Sequence, residues 1–293
     1  MLNNSLRCRI EALNRAPLAE RTDVVVSERR PASQPAVVVA KNKTQRFSHC
    51  GLLRRGEIIK TPAGEHWRTR LPLEMLWHGG TKLAAARQDY LRSQFAAARQ
   101  AIEPTIVLDA EFAPFIAALP DRTLVLDLET CGLAGAALFL VGLLRQIDGS
   151  PTVELLLARN FAEEAAVLES LWRTVTGHDV LVTFNGKSFD WPMVLDRSVR
   201  HRLQPPADCP RLHLDMLHHA RRRWRNRLPD CRLQTLERHV CRRNRAADIP
   251  GHAIPAVYAD YVRTGFERDM DTVLYHNALD LVTLFDLALR LAA

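Results

Sequence analysis

The chain has 293 residues, 47% of them hydrophobic and 25% charged, which suits one sizeable globular domain plus an accessory segment. Its longest nearly uncharged apolar run, 133–144, is shorter than the roughly 20 residues a membrane-spanning helix needs, and the N-terminal stretch MLNNSLRCRIEALNRA lacks an apolar signal core. A cytoplasmic protein with no membrane partner is therefore expected. The formal net charge is +7, and residues 200–245 hold 13 arginines against four acids. Such a block suits a polyanion, with a solvated basic surface as the alternative. The six cysteines are scattered without a C-x-x-C pair, so free thiols are expected.

In chain order, residues 1–47 show little periodicity and include RRPASQPA, which predicts a flexible tail. Residues 48–105 form an accessory segment: GEIIKTPAGEHWRTRL (56–71) reads as two strands around Pro62-Ala63-Gly64, and 81–100 as an amphipathic helix. From 106 to 293 the pattern predicts a strand at 123–129 and a hairpin of 137–145 with 152–158 around Asp148-Gly149-Ser150. A helix at 161–175, a strand at 179–184, a helix at 189–203 and a short strand at 211–215 follow, and a final helix spans about 267–291. Three hairpin-joined strands followed by helix and strand alternation predict an α/β fold, a mixed five-stranded sheet flanked by helices of the RNase H-like kind.

The stretch VLDLETCGL (125–133) sets two acids into an apolar strand. Alternate residues share a face, so Asp127 and Glu129 project together at the strand's C-terminal end, where open α/β sheets bind ligands. A turn opened by Glu129 and an Asp127–Arg pair are the structural alternative. In VTFNGKSFDWP, Asp190 is placed either as a helix cap ahead of Pro192 or as a third acid of the same edge. In YHNALDLVTLFDLALRL, His276 and Asp280 share one helix face, whereas Asp286 points elsewhere. Asp215, in HLDML, reads as a supporting residue or a cap.

Asp127 and Glu129 in LDLETCGL, Asp190 in TFNGKSFDWP and Asp280 in HNALDLVTL resemble, in chain order, the four acids of the DEDD exonuclease superfamily. More narrowly, residues 56–290 are similar to the YprB-type RNase H-like domains. FLVGLL (139–144), HLDMLHHARRRWRNRLPDCRLQTLERHV (213–240) and DIPGHAIPAVYADYVRTG (248–265) carry the likeness between the acids. The resemblance implies a metal-dependent 3′ to 5′ exonuclease acting on single-stranded DNA or RNA. Two divalent cations, Mg²⁺ or Mn²⁺, would be held by Asp127, Glu129, Asp190 and Asp280, with Asp127 bridging them.

Two positions depart from the family pattern. Cys131 stands where E-T-T-G is usual, and His276 precedes Asp280 at the spacing of the tyrosine subgroup. His276 is expected to orient or deprotonate the attacking water, with a hydrogen bond to a carboxylate as the alternative. Asn185, Lys187 and the turn amides around Gly186 are placed at phosphate, and Arg221, Arg222 and Arg225 of ARRRWRNR along the strand's backbone. Trp224, in the same run, reads as a core residue more than a base-stacking surface. A catalytically inactive nucleic-acid-binding module on the same fold is the alternative, and a protein docking an acidic partner is a third reading.

Overall fold

In the computed structural model the described residues are 51–100, 111–133, 135–245 and 248–293. The predicted tail (1–47), and Cys8 and Cys50, lie outside them. The strands are β1 (Glu57–Thr61), β2 (Gly64–Pro72), β3 (Thr123–Thr130), β4 (Leu138–Ile147), β5 (Ser150–Leu157), β6 (Val180–Thr183) and β7 (Leu212–Asp215). They form one seven-stranded sheet in the order β1-β2-β5-β4-β3-β6-β7. β3 pairs with β6, and β6 with β7, in parallel; all other pairings are antiparallel.

The expected count of five strands is corrected to seven. The hairpin of residues 57–72 joins the main sheet through β2, whose residues 67–72 pair with β5. Local sequence shows a hairpin but not its partner, because strand pairing between distant segments leaves no local mark. Polar cross-links secure the added edge: Glu154 of β5, buried, is paired with Arg70 at 2.9 Å and with Arg145 of β4 at 2.9 Å.

The β4–β5 hairpin closes on Asp148 and Gly149, with φ of 51° and 73°. Two left-handed residues in a two-residue loop are what the right-handed twist of the flanking strands requires, and Asp-Gly tolerates them. Besides the single turn Leu73–Leu76, the α-helices among the described residues are α1 (Gly80–Gln100), α2 (Ala113–Ala118), α3 (Glu164–Val175), α4 (Asp190–Arg200), α5 (Met216–Trp224), α6 (Leu233–His239), α7 (Ile254–Thr264) and α8 (Glu267–Leu291). α8 packs on β3, β4, β5 and β6, and α3 on β1, β2, β4 and β5. The apolar stripe Leu281, Leu284, Phe285, Ala288 and Leu291 is buried, as its spacing predicts.

β3 is buried at six of its eight positions, the exceptions being Asp127 and Glu129, which are half-buried. No helix among the described residues is long and apolar enough to cross a membrane. Cys131, Cys209, Cys231 and Cys241 are free thiols.

Candidate active site

β3 and β6 run parallel, so their C-terminal ends lie on one edge of the sheet. β3 brings Asp127 and Glu129 there. The turn after β6 brings Asp190, the first residue of α4, whose carboxylate accepts a hydrogen bond from the Leu128 amide of β3. α8 crosses the same face and delivers His276, Asn277 and Asp280. Asn277 Nδ2 donates to Asp127 Oδ2 at 2.7 Å. Gly142 of β4 sits opposite Asp127 in the register, and a Cβ there would lie 1.8 Å from Asn277 Oδ1. The missing side chain at 142 is what admits the amide.

The turn before α4 is shaped by two residues. Asn185 has φ of 65°, a left-handed conformation that Asn tolerates, and a Cβ at Gly186 would lie 2.4 Å from Thr183 Cβ. Asp215, at the end of β7, accepts hydrogen bonds from the amides of Asn185 at 2.8 Å and Lys187 at 3.2 Å. It also caps α5 through the Leu217 amide at 3.1 Å.

Burial and mutual repulsion set the charge state of these acids. Burial, followed by the charges of Asp280, Glu129 and Asp190, pushes the Asp127 carboxyl well above the usual carboxylate range. Burial pushes Glu129 up to about 8, with His276 opposing, and raises Asp190 to about 7 against the backbone amides that favour its anion.

Asp280 goes the other way. Burial would raise it, but Arg245 and His276 hold it below the ordinary value. Arg245 Nη2 donates to Asp280 Oδ1, and His276 Nε2 lies 3.3 Å from Asp280 Oδ2. His276 Nδ1 donates to Asp248 Oδ1 at 2.7 Å. Burial alone would lower the imidazole, yet the hydrogen bonds to Asp248 and Asp280 push it up to about 11. In this state His276 is a cationic donor, able to act as a base only when the negative charge beside it is taken up.

Residues 124–292 match the family model of the RNase H superfamily, more than half of the chain. This chain belongs to the RNase H superfamily. It is 33% identical over 171 residues to "Uncharacterized protein YprB" of Bacillus subtilis (strain 168), an alignment covering 57% of this chain and 41% of that protein. The chain thus spans less than half the length of that relative. A YprB-type RNase H-like protein is what the motifs around the four acids resembled, and the core order β5-β4-β3-β6-β7 fits that superfamily.

In this RNase H-like framework the structure gathers Asp127, Glu129, Asp190, His276 and Asp280 at one place, each acting electrostatically on at least one of the others. As placed, no three His, Cys, Asp or Glu side chains among the described residues stand close enough to hold a metal ion. Arg245 and His276 engage both oxygens of Asp280, and Asn277 engages one of Asp127. The donor set nonetheless suits a hard divalent cation, since it consists of carboxylate oxygens, and burial raises three of the four carboxyls, Asp127, Glu129 and Asp190.

The expected phosphate contacts are more mixed. The amides of Asn185 and Lys187 face Asp215, so the side chains alone of these two exposed residues remain open to a ligand. Arg222 bonds Glu111 at 3.1 Å and His219 Nδ1 at 2.6 Å. Arg221 and Arg225 are exposed, one helical turn apart, with no carboxylate partner among the described residues. Trp224 is half-buried against the core, with the Arg223 guanidinium 5.7 Å from its ring. His218 and His219 diverge: one is exposed beside Asp215, the other buried 4.6 Å from the Phe112 ring. Asp286 lies apart, paired with Arg87, with Arg243 at 2.7 Å and with Arg290 at 3.0 Å.

Sequence reasoning missed three residues. Asn277 was hidden beside His276, where no helix period marks it. Asp248 opens DIPG, where it reads as a turn acid. Arg245 was counted into the basic surface block, yet its side chain is 5% exposed and faces inward. The signal available for it was the acid three residues later, which it pairs with at 3.2 Å.

Proposed function

We propose that this protein is a metal-dependent nuclease that hydrolyses phosphodiester bonds, acting from the 3′ end of single-stranded DNA or RNA in the cytoplasm. The observation that carries the reading is the convergence of four carboxylates from three separate segments on one edge of the sheet, where burial and repulsion keep Asp127 protonated until a cation arrives. Buried acids without a counter-charge destabilise a fold, and strongly shifted carboxyls of this kind cluster at functional sites.

Asp127, Glu129, Asp190 and Asp280 would hold two divalent cations, Mg²⁺ or Mn²⁺, which supply Lewis-acid polarisation of the phosphodiester and of the attacking water. Asn277 fixes the Asp127 carboxylate through Nδ2. The backbone amides at Asp190 and Leu128 fix the Asp190 carboxylate. His276 presents Nε2 to Asp280, where it would orient the water and take its proton once Asp280 is neutralised. Lys187, Asn185, Arg221 and Arg225 present side chains to the strand's phosphates, with Arg222 reaching them from its pair with Glu111.

The test is incubation with end-labelled single-stranded DNA and RNA under Mg²⁺, Mn²⁺ or EDTA, beside Asp127→Ala. A metal-dependent ladder shortening from the 3′ end, absent in the variant, is the expected result. The engagement of both Asp280 oxygens by cationic side chains favours one second reading, an inactive nucleic-acid-binding module. Strands bound but left intact under every metal condition would establish it.

A further inference from the structure

Four side chains form a closed ring beside the carboxylates. Arg245 Nη1 donates to Asp248 Oδ2 at 3.2 Å, Asp248 Oδ1 accepts from His276 Nδ1 at 2.7 Å, His276 Nε2 faces Asp280 Oδ2 at 3.3 Å, and Asp280 Oδ1 returns to Arg245 Nη2. The ring is anchored from outside. Arg245 Nε donates to Glu237 Oε2 of α6 at 2.5 Å, and Glu237 is buried. Asp248 accepts further from Gln234 Nε2 of α6 at 3.0 Å and from the Ile249 amide at 3.0 Å.

We propose, resting on the nuclease reading above, that Asp248 and Arg245 are positioning residues: Asp248 holds the His276 ring by Nδ1 so that Nε2 faces the reacting centre, and Arg245 locks Asp248 and Asp280 into one frame. An imidazole presents two nitrogens, and a carboxylate on one of them decides which way the ring turns and which nitrogen is left to react. Asp248 is itself immobilised from three directions, so it cannot follow a ring that swings. A stability role alone explains the arrangement less well, because buried ion networks contribute little net stability compared with apolar packing. This network, moreover, terminates on the two residues, His276 and Asp280, that the proposed reaction uses.

The experiment compares the full chain with Asp248→Ala, Asp248→Asn and Arg245→Lys by two readouts. One is long-range ¹H–¹⁵N NMR of the His276 ring, assigned with His276→Gln. The other is steady-state hydrolysis of end-labelled single strands with Mg²⁺ or Mn²⁺. In Asp248→Ala the ring signal is expected to move and kcat to fall about 10- to 100-fold with KM within about twofold. Asp248→Asn, whose amide oxygen still accepts from Nδ1–H, should recover part of both. Arg245→Lys should lower kcat likewise, because one ammonium cannot span Asp248, Asp280 and Glu237 together.

Wild-type ring signal and kcat retained in Asp248→Ala overturn the positioning role while leaving the nuclease reading intact. Should Asp248→Ala fail to fold, the same pair of readouts on Asp248→Leu, which keeps the volume and has no acceptor for Nδ1–H, decides the matter: both unchanged again overturns it. Absence of hydrolysis by the wild type overturns the nuclease reading and the catalytic half of this proposal. The ring signal then still decides whether Asp248 holds His276.

Discussion

Asn277 and Asp127 are 150 positions apart in sequence and joined by a 2.7 Å hydrogen bond, amide to carboxylate, between the long C-terminal helix and the central strand. Asn277→Ala removes the donor and leaves a buried carboxyl oxygen without it. A stability loss of about 1–3 kcal/mol and a fall in kcat of about tenfold or more are expected. Urea unfolding and steady-state hydrolysis check the two parts separately.

Gly142 makes the room that Asn277 occupies. In Gly142→Ala the new methyl would lie 1.8 Å from Asn277 Oδ1 and 2.8 Å from Leu281 Cδ1, so the α8 side chains must shift. A loss of about 1–3 kcal/mol is expected, together with reduced activity, although position 142 itself carries no functional group. Unaltered unfolding and turnover would show that α8 yields more easily than its packing implies.

Stability of the metal-free protein is expected to fall as pH rises from about 5 to 8.5. Glu129 (about 8), Asp190 (about 7) and Asp127 all titrate above the ordinary carboxylate range in the folded state. Across that window the native state holds protons that the unfolded chain has lost, so raising pH favours unfolding. His276, raised from 6.5 to about 11, adds to the fall above pH 6.5, because the folded imidazole holds a proton that the unfolded one has lost, whereas Asp280, lowered, loses its stabilising contribution only in acid. Mg²⁺ or Mn²⁺ should raise Tm more at pH 8.5 than at pH 6, because at the lower pH they compete with protons. A thermal-shift series over pH, with and without metal, is the measurement.

Asp127→Asn removes the ionisable carboxyl while keeping its shape. The metal-free variant is expected to be at least as stable as the parent at pH 8, with hydrolysis lost and the metal-induced rise in Tm reduced. Thermal unfolding of both proteins, with EDTA and with Mn²⁺, checks this.

Arg221 and Arg225 are exposed arginines of α5 and its end that no carboxylate holds among the described residues. Replacing both with Ala should weaken single-strand binding and lower the slope of log K against log[salt] by about 1.4, roughly 0.7 for each lost phosphate contact. kcat at saturating strand should change little. Arg245→Lys, by contrast, is expected to leave the salt slope unchanged, since Arg245 faces acids of its own chain. Binding titrations at several salt concentrations separate the two arginine classes.

The sequence by itself determined what depends on neighbours along the chain. Period-two alternation put Asp127 and Glu129 on one face of one strand, the Asp-Gly pair set the β4–β5 hairpin, and the four-residue spacing put His276 and Asp280 on one helix face. The acids in chain order, together with the stretches between them, carried the resemblance to the YprB-type RNase H-like domains. Only the tertiary structure decided how those pieces meet. It joined the N-terminal hairpin to the sheet as two further strands, turned Arg245 from the basic surface inward onto Asp280, set Asp248 on the far nitrogen of His276, and placed Asn277 over Gly142. The reason is physical. Backbone periodicity fixes the direction of a side chain within its own element, whereas a buried ion pair or a strand pairing forms between segments distant in sequence and is chosen by the packing of the whole fold.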